Sequence, residues 1–433
     1  MARGMTRRHL VYATSAGALG LAADWSRLPH ELARLALEPA STSASTGFAD
    51  DVEARVDGVL QAYDAQGAHR TGTDVDRLSG EWLREQASRA GARARLETFP
   101  LDRLDVREAF VEIGGRRIEG LPFFDAGSTA AAGVAAPIGP SGIHVAIADA
   151  ASISTEGEFL ADVRRKGQAR AIVVVTAAGV PGLVPSNARH FADPYGCPVL
   201  QVAAAPAQEL LALAQSSGEP VRVVCESTRA STNAANVVAD VPGRDPARAP
   251  VVVITPRSGW WYCASERGGG IACWLETLRA VANARPARRV LCLASSGHEL
   301  GHLGLEAFLH AKAELVKVAH AWVHLGANIG AGPTGSSIVG VRLQASDDEL
   351  DRAISGALAS AGAPVADRLP RGRVPAGEAR NLHLGGARYV SLLGQGNGWF
   401  HHAGDRYPAA VGAAMVARYA RGVAEGVTEL AQM

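Results

Sequence analysis

The chain has 433 residues, 47% of them hydrophobic and 20% charged, which suits a soluble protein with a sizeable core. Its 43 basic and 43 acidic residues cancel, so the basic face or domain of a general nucleic-acid binder is excluded. The same balance excludes disordered, collagen-like and coiled-coil architectures.

The N-terminus reads as a targeting segment. Arg7 and Arg8 precede an apolar run that ends in small residues near Ala22 and Ala23. A charged start, a short apolar stretch and small residues describe a cleavable signal peptide, too short for a permanent membrane anchor. The paired arginines resemble a twin-arginine export signal. Residues 1–23 are therefore expected to direct export to the periplasm or the extracellular space, and 24–47 to form a Ser/Thr/Ala-rich linker.

Helical spacing of Val52, Val56, Val59 and Leu60, then of Leu78, Trp82 and Leu83, predicts helices over 48–66 and 74–91. Residues 93–99 alternate like a strand. From 108 to 232 short apolar runs at 144–149, 171–176 and 198–203 alternate with two helical stretches, which predicts a smaller α/β insert. Apolar strands are then expected at 251–254, 290–294, 322–325 and 389–393, with helices over 270–283 and 304–318. Runs apolar on both faces and alternating with helices predict a mostly parallel mixed sheet with helices on both faces. Chemistry in such folds gathers beyond the carboxyl ends of the strands, here after 254, 294, 325 and 393.

Those loops carry the candidate residues. His298-Glu299-Leu300-Gly301-His302 spells HExxH, a pattern that needs a helix to bring both histidines to one face. A strand ending at Ala294 and glycines at 297, 301 and 304 argue against that helix. Gly268, Gly269 and Gly270 open a helix, as an anion site or as a close-packed turn. His401, His402 and Asp405 gather in the last loop. The five cysteines have no CxxC spacing; buried free thiols and a Cys197–Cys225 disulfide are both compatible with it. No G-x-S-x-G elbow points to a serine hydrolase.

In order along the chain, these stretches resemble peptidase family M28, the co-catalytic zinc aminopeptidases. Arg70-Thr-Gly-Thr73, Asn236 to Gly243, His298 to Gly304 and Phe400-His401 to Asp405 carry the likeness, and 108–232 resembles the protease-associated insert of some members. The peptidase-like domain would then comprise 48–107 and 233–433. The family's first metal histidine and its aspartate partner fall on Pro256 and Ser258, and a later metal aspartate on Gly326. The bridging carboxylate falls on Glu266, the base on His298, and the remaining ligands on Glu299 and His401. The resemblance implies that one zinc site is lost and that Glu266, Glu299 and His401 could hold a single zinc ion, as in the related one-metal glutaminyl cyclases.

His298 would then act as proton shuttle, with His302 and His324 as competing shuttles or ligands and His402 as a further ligand. Arg267, beside Glu266, adds a charge that disfavours a cation unless it points toward a substrate carboxylate, while Trp260 and Trp261 either wall the pocket or pack a domain seam. Two functions follow as expectations. One is a single-metal hydrolase or acyl-transfer enzyme acting on small peptides or amides. The other is a peptidase-like domain without catalysis that binds a ligand or protein, as the transferrin receptor ectodomain does.

Overall fold

Strands and helices alternate along most of the chain in the computed structural model, which describes residues 50–153, 157–177, 180–332 and 340–433. The expected signal segment and the linker to residue 47 lie outside the described residues. The central strands are β7 (Val221–Val241), β8 (Val251–Pro256), β9 (Val290–Ser295), β10 (Ala321–Leu325) and β13 (Tyr389–Gly394). β9, β8, β10 and β13 run parallel side by side, and every residue of β8, β9 and β10 is buried.

Alternation explains why both faces need helices. Val251 and Val253 of β8 join one core with the helices Asp50–Asp64, Gly269–Ala284 and Ala413–Gln432. Val252 and Ile254 join the opposite core, with Leu305, Phe308 and Leu382. Side chains of successive strand residues point to opposite faces, so a strand covered on both sides must be apolar throughout. The far edge is formed by β11 (Val341–Ala345), antiparallel to β13, and β12 (Val365–Arg368).

On the other side, β1 (Arg93–Ile113) pairs antiparallel with β7 along nearly its whole length. These two 21-residue strands carry the chain out to a second layer of β2 (Arg116–Pro122), β4 (Ile143–Asp149), β5 (Ala171–Ala177) and β6 (Val199–Ala203), with short β3 (Val134–Ala136) on β7. β5 lies parallel between β4 and β6, and β6 joins β2. This layer has its own cores, around Val173 and Leu200 and around Phe123 and Leu160. The expected insert boundaries near 108 and 232 therefore fall inside β1 and β7. The change in sequence texture marks a change of packing partner, not a break in the backbone.

All five cysteines are free thiols, Cys197 and Cys225 included. Among the described residues no helix is long and apolar enough to cross a membrane.

Candidate functional site

The loops that leave β8, β9, β10 and β13 meet at one end of the parallel strands. Four of the five non-glycine residues with positive φ among the described residues lie in this region: Cys263 (56°), His302 (66°), Asn328 (60°) and His401 (58°). Such backbone is costly for residues with a Cβ and collects where side chains must be aimed. A π-helical turn, Ala264–Gly268, carries Glu266 and Arg267 into the helix Gly269–Ala284. The glycines that open this helix serve close packing. A Cβ on Gly269 would lie 1.9 Å from the Ile329 carbonyl oxygen, and one on Gly270 2.6 Å from Thr255 Oγ1.

Asp405 holds that turn. Its carboxylate accepts the Ser265 and Glu266 backbone N–H groups at 2.7 and 3.0 Å, while burial pushes the carboxyl up to about 7. Glu266 is buried, and Arg267 Nη2 lies 2.6 Å from its Oε1. His401 Nε2 lies 3.4 Å from the same oxygen. Burial alone would raise the Glu266 carboxyl; Arg267, His401 and His298 bring it down to about 2. His401 Nδ1 donates to the Pro185 carbonyl at 2.7 Å, which aims Nε2 at Glu266. Arg267 Nε donates to the Ser258 carbonyl at 2.8 Å.

Glu299 faces a different set of partners. Its Oε1 accepts the Thr71 N–H at 2.8 Å and its Oε2 the Ser258 hydroxyl at 2.7 Å. Ser258 Oγ in turn accepts the Gly297 N–H at 2.8 Å. Burial raises the Glu299 carboxyl against these donors. Its two oxygens thus tie the β8 and β9 loops to the segment before the helix Asp74–Arg89.

His298 begins a 3-10 turn, His298–Leu300, between left-handed Gly297 and Gly301, so His298 and His302 share no α-helical face. His298 Nδ1 lies 3.4 Å from Glu378 Oε1, which also accepts the Ser295 hydroxyl at 2.6 Å. Burial, with Arg267 and His302 adding to it, pulls the His298 imidazole well below its usual range. His302 stacks obliquely against it, ring centroids 4.7 Å apart, and donates from Nδ1 to Asn381 Oδ1 at 2.8 Å. His324 faces Ser391 across the β10–β13 ladder, and the two side chains bond at 2.8 Å. Burial lowers His324 to about 4.

Of the residues marked from the sequence, Glu266, Arg267 and His401 are in direct contact, and His298, His302 and His324 gather beside them. His402 turns away, donating from Nε2 to the Pro181 carbonyl at 2.9 Å and accepting the Gly404 N–H on Nδ1. Trp260 packs edge-on to Phe124 and donates to Asn187 Oδ1 at 3.0 Å, while Trp261 donates to the His401 carbonyl at 3.1 Å. Both tryptophans are thus committed to packing around the site. Sequence reading missed Glu378, which sits in a Pro/Gly/Arg-rich loop with no spacing signal. It also missed the segment Pro181–Arg189, which lies over the site through Pro185, Asn187 and an Ala188 N–H bond to the Glu299 carbonyl at 2.8 Å. Asn187→Ala is expected to cost about 1–3 kcal/mol by leaving the buried Trp260 N–H unpaired. Chemical denaturation and proteolysis of this segment check that effect.

The pH dependence of His324 has a definite sign. Its folded pKa of about 4 lies below the unfolded value of 6.5, so its contribution to stability is present above pH 6.5 and lost as pH falls toward 4. The stability difference between parent and His324→Gln should therefore shift against the parent on acidification, by up to about 1.4 kcal/mol per pH unit. Denaturant unfolding at several pH values in that window measures it, and a constant difference would refute it.

The donor set fits a zinc ion poorly. Pro256 and Gly326 offer no ligand, and a Cβ on Gly326 would meet His324 Cε1 at 2.8 Å and the Leu392 carbonyl oxygen at 3.1 Å. Both Glu299 oxygens are engaged, and Glu266 already has a cation beside it. Among the described residues no group of three His, Cys, Asp or Glu side chains is placed to hold a metal. Of Glu266, Glu299 and His401, expected together, Glu266 and His401 are in contact, while the Glu299 oxygens bond to Thr71 and Ser258.

Sheet order, covering helices and the position of these loops define a peptidase-like α/β fold, that of the M28-type zinc aminopeptidases. A zinc aminopeptidase from Bacillus subtilis superimposes with a TM-score of 0.69 at 14% identity, over 88% of this chain and 94% of that one. A peptidase M28 precursor from Shewanella amazonensis gives 0.66 at 15% identity over 89% and 96%. An aminopeptidase from Aneurinibacillus sp. strain AM-1 gives 0.65 at 12% identity over 89% and 94%. No family model matches the sequence, and no curated protein matches it.

Proposed function

We propose that this chain is an exported peptidase-like protein whose site binds a small peptide or amide without a metal ion. One observation carries the reading: the buried Glu266 carboxylate, in the bridging position by resemblance, has a guanidinium 2.6 Å away. The ligand class follows from buried polar atoms that find no hydrogen-bond partner in the protein. Glu266 Oε2, Glu378 Oε2 and Arg267 Nη1 are three of these. Buried polar groups are normally satisfied, and a peptide unit brings both an N–H and a C=O to such a mixed set. The paired Arg7 and Arg8 ahead of an apolar run support export.

Calorimetric titration with short peptides and their amides, in the presence of a chelator, tests the proposal. Binding that persists in chelator and weakens in Arg267→Gln supports it. Binding that requires added zinc overturns it.

His298 favours a second reading, metal-independent acid–base catalysis on the same ligands. Glu378 at 3.4 Å orients Nδ1 and leaves the Nε2 lone pair available, and burial keeps the ring neutral near pH 7. Turnover of a peptide amide that disappears in His298→Ala while binding remains would establish this reading. Binding with no turnover in the parent would exclude it.

A further inference from the structure

We infer that Arg267 is the resident cation of this site, and that its charge is what denies the Glu266–His401 pair to a divalent metal ion. The inference rests on the metal-free reading and adds the residue responsible for it. Glu266 and His401 are each about 98–99% buried, and each retains an atom with no hydrogen-bond partner in the protein. Pro185 fixes the His401 ring so that Nε2 faces the carboxylate at 3.4 Å. A carboxylate oxygen and an imidazole nitrogen so arranged are two donors of the kind that zinc takes. They are the two donors on offer: among the described residues no third His, Cys, Asp or Glu side chain completes a set with them, so water would fill the remaining positions.

Arg267 blocks this set through its position. It is buried, its Nε is anchored on the Ser258 carbonyl at 2.8 Å, and its Nη2 lies 2.6 Å from Glu266 Oε1. Neither Nη1 nor Nη2 makes an aligned hydrogen bond within the protein, so the 2.6 Å contact is a charge contact. Its role is therefore neutralisation more than geometric recognition. A guanidinium stays protonated at any physiological pH, so its charge cannot be titrated away to admit a second cation.

The test is zinc binding by Arg267→Met, beside the parent, Arg267→Lys and Arg267→Met/His401→Ala. Elemental analysis after dialysis against zinc gives the stoichiometry, and the thermal midpoint with and without zinc gives an independent readout. Arg267→Met should take up one zinc per chain and gain thermal stability with it. The parent and Arg267→Lys should do neither, and the added His401→Ala should weaken zinc binding at least tenfold. Glu266→Gln/Arg267→Met removes both charges and serves as the folding control, expected to fold without zinc and to bind none.

A folded Arg267→Met chain that takes no zinc overturns the inference, whereas the metal-free reading is judged separately, by peptide binding to the parent in chelator. Zinc uptake that survives His401→Ala also overturns it. Zinc bound by the parent through His401 overturns both this inference and the metal-free reading.

Discussion

Glu266→Ala is expected to lower folding stability by about 3–5 kcal/mol, the usual cost of leaving one member of a buried ion pair without its partner. The Arg267 guanidinium would keep the Ser258 carbonyl as a hydrogen-bond acceptor and lose its nearest negative charge. Removing both charges in Glu266→Gln/Arg267→Gln should recover much of the loss, because no uncompensated charge stays buried. A double-mutant cycle by denaturant unfolding measures this coupling. Additive single effects would mean that the pair contributes little, and the assignment of Arg267 as counter-charge would fall with it.

Glu299→Ala should be almost as damaging, and for a structural reason. The Thr71 N–H and the Ser258 hydroxyl would both lose their acceptor in a fully buried setting, at about 1–3 kcal/mol each. Glu299→Gln keeps one acceptor oxygen and should cost less than half as much. A ligand role for Glu299 predicts a different pattern, with a stable fold and loss of bound metal. Unfolding curves recorded in chelator separate the two: the structural role predicts the full loss there, and a metal-ligand role predicts almost none.

The central strands were legible because burial on both faces forces a continuous apolar run. Val251–Ile254 and Val290–Ala294 can be read without knowing what covers them. The loops after them were legible as site positions for the same topological reason. What each side chain does there was not. Glu299 looks like a ligand in sequence order, yet its partners are Thr71, 228 residues away, and Ser258, 41 residues away. Glu378 reaches His298 across 80 residues from a loop with no periodic pattern. Pro185 and Asn187 come from the β2–β6 layer, and nothing local in their sequence says that they lie over His401 and Trp260. The positions 108 and 232 fall inside strands for a related reason. Sequence texture reports which core a residue packs into, and β1 and β7 pass through two of them as unbroken strands.

From the sequence, Arg267 reads as a charge that disfavours a cation unless it points toward a substrate carboxylate. In the fold it becomes the cation itself, since the π-helical turn places consecutive residues Glu266 and Arg267 against one another within the buried end of the parallel strands.

The metal content of the purified parent chain, prepared without chelator and then dialysed against zinc, is the most direct test of the account. Zinc far below one ion per chain, with peptide binding intact, is the predicted result. One tightly held zinc per chain that disappears in His401→Ala would contradict it and would return Glu266 and His401 to the role of metal ligands.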